Sequence, residues 1–153
     1  MDRFSIAIGK KPPSTLYEVL DELEKEHRDD EECKKFAEEP EDEAVSSRHH
    51  GLGQHIRNGY ELWKGDSVLS VHFKSLGIFH ADDMSGIIMR SLHRRLNSRD
   101  IKLKDQVKFY QDFWEETDRK NKGAPLSGTT YVELPKGKGC ITLNFKHIDS
   151  RIP

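Results

Sequence analysis

One stretch constrains the fold more than any other: Gly77–Asn97, GIFHADDMSGIIMRSLHRRLN. Set at about 100° per residue, Met84, Ser85, Ile88, Met89, Leu92 and Leu96 fall on one side of a helix. Asp83, Gly86, Arg90, Arg94, Asn97 and, at the margin, His93 fall on the other. A helix with such an arc must bury it against other elements. Asp82 or Asp83 is placed to cap its start, where the helix end is electropositive. Arg95 falls inside the apolar arc, between Met84 and Ile88, where an unpaired guanidinium would be costly. Its head is therefore expected to reach an acid or carbonyl groups at the core margin, with the acidic first helix as donor.

The rest of the chain has to supply that cover. Residues 3–9, RFSIAIG, alternate Phe4, Ile6 and Ile8 with Ser5, Ala7 and Gly9, the period of a half-buried strand. Thr15 and Glu18 form a capping-box pattern before Leu16, Leu20 and Leu23, which predicts a first helix from about Leu16 that stops before Pro40. Val45, His49, Leu52, Ile56 and Trp63 continue a helical register, which makes His49 a core histidine. Gly51 and Gly53 interrupt it at about 1 kcal/mol each against alanine, so close packing against that backbone is expected. Asp66 or Ser67 caps a short helix through Val68, Leu69, Phe73 and Leu76, stopped by Gly77. From Leu103 to Arg119 a helix carries Val107, Phe109, Tyr110, Phe113 and Trp114 as a broad aromatic face, expected to be a main core element.

TTYVEL and CITLNF around PKGKG, within residues 129–146, read as a β-hairpin. A lone hairpin and a lone strand are each marginal, so the two are expected to pair. The predicted class is α+β: one mainly helical domain over 1–153, with a small antiparallel sheet formed by the N-terminal strand and the C-terminal hairpin. At 153 residues such a domain removes about two-thirds of its unfolded surface from water.

Charge limits the partners. Thr15–Val45 holds fourteen acids against four bases, a balance of −10, and Arg90–Lys108 seven bases against two acids, a balance of +5. The net charge is −2, so the two regions can face each other within one chain. No run of about 18 apolar residues is present and the opening MDRFSIAIGKKPPS is too short for a signal core, so no membrane span and a cytoplasmic location are expected. Cys33 and Cys140 form no CxxC or Cys/His pattern. HExxH, GxxxxGK[ST], GxSxG and the HxE/PCxxC pair are all missing, and no histidine is followed directly by aspartate as an HD-type di-metal hydrolase requires. No catalytic residue, metal ligand or cofactor is assigned on these grounds, and a non-enzyme is the favoured reading.

HHGLGQHIRNGYELW followed by LGIFHADDMSGIIMRSLHRRLN resembles an uncharacterised family of small bacterial and phage proteins, known only as a domain of unknown function. The likeness runs from about Thr15 to Ile101, a helical core, with Ala81 where the family carries proline. It implies a shared polar set in two adjacent elements: Arg57, Asn58, His80, Asp82, Asp83, His93, Arg94 and Asn97. That set is either one hydrogen-bonded network or the lining of a pocket. The leading expectation is a non-enzymatic protein-binding or regulatory protein of bacterial or phage origin, with inhibition of a host system as one form of that role. The second is a small hydrolase or ligand-binding enzyme using the His/Asp/Arg cluster near a helix N-terminus. The third is nucleic-acid binding through Arg90, Arg94, Arg99, Lys102, Lys104 and Lys108, disfavoured by the overall charge. Oligomeric state is not readable from the chain.

Overall fold

Thr15 starts the first helix: its side chain accepts the Glu18 N–H at 3.3 Å, while the Glu18 carboxylate turns back to accept from Ser14 N at 2.6 Å and Ser14 Oγ at 2.8 Å. The capping box is thus shifted by one residue on its acidic arm. The computed structural model describes residues 11–123. Among these, α1 spans Leu16–His27, α2 Glu31–Glu38 and α3 Glu41–Ser47. A π turn at His49–Gly53 runs into α4, Gln54–Gly59, and a 3-10 turn follows at Leu62–Lys64. The last three helices are α5 at Val68–Ser75, α6 at Ala81–Leu96 and α7 at Leu103–Gly123. The described residues up to Glu115 form one compact unit, and α7 from Glu116 onward belongs to another. In that second unit Lys120 pairs with Glu116 at 2.8 Å, one turn apart.

Every regular element among the described residues is helical and none is a strand, which corrects the α+β class. The segments that carried the sheet, residues 3–9 and 129–146, lie outside the described residues. The physical reason is that, among the described residues, the helical faces cover one another: Leu16, Val19, Leu20 and Leu23 of α1, Phe36, Ile56, Phe73 and the apolar residues of α6 form one buried cluster. Each such side chain contributes about 1.5–3 kcal/mol when fully removed from water.

α6 sits at the centre. Met84, Ser85, Ile88, Met89 and Leu92 are buried as the arc requires, but so are Gly86, Ile87, Ser91 and His93. The face expected to look at solvent is covered, because α1, α2, α3, α4 and α5 all contact this helix, and Tyr110 of α7 lies so near Gly86 that a Cβ there would stand 2.5 Å from its hydroxyl. A helix buried on most sides carries no single polar stripe.

The first helix starts at Leu16 and stops before Pro40, at His27. It breaks at Arg28–Asp30, where Asp30 takes an extended backbone as N-cap of α2 and its carboxylate meets His27 Nδ1 at 2.9 Å. His80, not an aspartate, is the N-cap of α6, and it makes no side-chain cap bond; Asp82 and Asp83 lie in the first turn, still at the electropositive end. α7 is not a main core element: Gln106 is its buried residue, Val107 and Tyr110 pack at the core edge, and Phe109 stays 65% exposed. Of the two glycines, Gly53 is the close approach, with Arg57 Nη1 and Met89 Cε within 3.0 and 3.1 Å of a hypothetical Cβ, whereas Gly51 has open space. Among the described residues no helix is long and apolar enough to cross a membrane.

Candidate functional site

Arg57 organises the N-terminal end of α6. The π turn sends Gly53 N–H to Arg48 O at 2.9 Å, and Arg57 Nη2 donates to the His49 carbonyl at 3.2 Å. The same guanidinium donates through Nη1 to Ser85 Oγ at 2.9 Å and lies 3.3 Å from Asp82 Oδ1. Its side chain is only 4% exposed, whereas Asp82 is 52% exposed. Asp82 Oδ1 also faces His49 Nε2 at 3.5 Å, and Ser85 Oγ donates to the Asp82 carbonyl at 2.9 Å. The Trp63 ring covers the guanidinium at 5.4 Å from its centroid, and Trp63 Nε1 donates to Asn58 Oδ1 at 3.2 Å. His49 is therefore half-exposed beside a carboxylate, not a core histidine.

On the α7 side of the same end, Trp114 Nε1 donates to Asp83 Oδ2 at 2.7 Å, and the His80 ring stacks on the Trp114 indole with centroids 4.0 Å apart. Burial pushes the Asp83 carboxyl above the ordinary carboxylate range, against the pull of the indole hydrogen bond. The Tyr110 hydroxyl is raised by burial first and by the Asp83 charge second.

The C-terminal end of α6 is a separate network. Eleven residues separate Asp82 from His93, about 17 Å of helical rise. His93 is 1% exposed. Its Nε2 lies 2.9 Å from Glu39 O and its Nδ1 3.0 Å from Arg99 Nη2. A carbonyl only accepts and a guanidinium only donates, so Nε2 carries the proton and Nδ1 the lone pair. Arg94 reaches both Glu41 oxygens, at 2.8 and 3.0 Å, and donates through Nη1 to Ile101 O at 2.9 Å. Arg90 joins Glu41 at 2.8 Å and Asp42 at 2.7 Å, and Arg99 stands 3.6 Å from Glu41. Burial alone would raise the Glu41 carboxyl; the hydrogen bonds and charges of Arg94 and Arg90 outweigh it and hold it at about 2. Asn97 donates to Ala37 O and His93 O, each at 2.9 Å, closing the end of α6 over α2.

The eight residues singled out from the sequence thus divide into two groups. Arg57, Asn58, His80, Asp82 and Asp83 gather at one end of α6, and His93, Arg94 and Asn97 at the other. The second group has both nitrogens of its histidine engaged and its arginine on a resident carboxylate, which is the arrangement of a structural joint. The first group keeps a half-exposed Asp82 and His49 at its surface. Among the described residues, no set of three or more His, Cys, Asp and Glu side chains is placed to hold a metal ion. Sequence reading missed His49, Trp63, Ser85 and Trp114 as members of the first group, and Glu39 and Glu41 of the second. Ser85 among apolar neighbours was the one available signal, since a buried hydroxyl needs a partner.

The basic run is largely neutralised within the chain. Arg90, Arg94 and Arg99 face Glu41 and Asp42, Arg95 meets Asp21 and Glu24 of α1, and Lys108 pairs with Asp112 at 2.7 Å.

Neither the curated proteins nor the solved structures contain a match to this chain. Residues 12–96, more than half of the sequence, match the family described as a domain of unknown function, DUF6794, and the chain belongs to that family.

Proposed function

We propose that this chain is a non-enzymatic protein-binding or regulatory protein, of bacterial or phage origin as its motifs imply, and that it meets its partner through the surface around Trp63. The observation that supports this reading is an exposed indole held in one place. Trp63 is 58% exposed, yet its nitrogen is tied to Asn58 and one ring face lies over Arg57. Its turn is bracketed by two left-handed residues, Glu61 at φ 53° and Gly65 at φ 70°. Ser70 Oγ donates to Leu62 O at 3.1 Å and Lys74 Nζ to Gly65 O at 2.6 Å, which holds both sides of the turn. Glu61 has no glycine's freedom there, and such local strain persists only where the surroundings enforce it. An ordered tryptophan loses little conformational freedom on association, and tryptophan is enriched among residues that dominate interface energies.

The test is affinity capture by the full chain, quantified for the native sequence, Trp63→Ala and Phe109→Ala, with melts confirming that each folds. A stoichiometric protein partner should be lost with Trp63→Ala, weakened roughly 30-fold if Trp63 is a dominant contact, and kept with Phe109→Ala. Equal retention by both variants overturns the reading.

The enzyme alternative has one observation in its favour, the raised Asp83 carboxyl beside His80 at the N-terminus of α6. Hydrolysis of ester or phosphoester probes that Asp83→Asn abolishes, in a variant that still folds, would replace the binding reading with that one.

A further inference from the structure

We draw no further inference here: the strongest candidate, the three-arginine cluster of Arg90, Arg94 and Arg99 at the C-terminal end of α6, is already filled by the Glu41 and Asp42 carboxylates and belongs to the network already described.

Discussion

Arg95 and Glu24 meet across the α1–α6 contact, Nε to Oε2 at 2.7 Å, with the Glu24 side chain only 14% exposed. Asp21, one turn earlier on α1, takes the other end of the same guanidinium. The arginine that falls within the apolar arc of α6 thus keeps its stem against the core and its charge at the margin. Arg95→Ala would leave the shielded Glu24 carboxylate with only the exposed Arg28, which pairs with its other oxygen. It should destabilise the domain by about 1–2 kcal/mol, whereas Lys108→Ala, on an exposed pair, should cost only a few tenths. Equal shifts in urea or thermal melts would show that the α1–α6 pairing carries no weight.

Glu41 makes stability depend on acid. Its folded-state value of about 2 lies below the ordinary 4.5. A depressed carboxyl contributes stability that is fully present above its unfolded value and lost as pH falls through the folded one. The contribution is at most about 3 kcal/mol from that difference. The stability gap between the native chain and Glu41→Gln should be full at pH 6, shrink below about 4.5 and close near 2. A gap that stays constant across that range would mean the arginines do not hold Glu41 as described.

The two glycines of the π turn should behave oppositely. Gly51→Ala meets open space and should be neutral or stabilising by up to about 1 kcal/mol. Gly53→Ala presses on Arg57 and Met89, both buried, and should destabilise by about 1–3 kcal/mol. Melting temperatures of the two variants check this; a Gly53→Ala protein at least as stable as Gly51→Ala contradicts it.

Glu61 tests the strain beside Trp63. Its left-handed backbone costs an L residue roughly 1–2 kcal/mol that glycine avoids, and its ion pair with Lys64 is exposed and weak. Glu61→Gly should therefore raise the melting temperature, although glycine's extra freedom in the unfolded chain offsets part of the gain. A fall would mean that the Lys64 contact, or another role of the side chain, outweighs the strain.

Some of this protein was determined by the sequence itself. Thr15 and Glu18 set the start of α1, Gly77 ends the turn after α5 with a positive φ of 83°, and the arc from Met84 to Leu92 is buried. These depend on short-range causes: a side chain reaching a nearby N–H, a backbone angle that glycine tolerates, and a repeat of 3.6 residues. The candidate site was legible only as a set of residue types. Spacing puts Asp82 and His93 on the same helix but does not say that its length assigns them to two networks. Tertiary structure made that division, because Arg57 lies 28 residues from Ser85 and Arg94 lies 53 from Glu41. It also covered the polar face of α6, left Phe109 outside the core and bent the chain at His49–Gly53 into a π turn. Each of these depends on which surfaces compete for the same neighbours once the helices have formed, and burial of one apolar face is offset against another only when the whole unit closes.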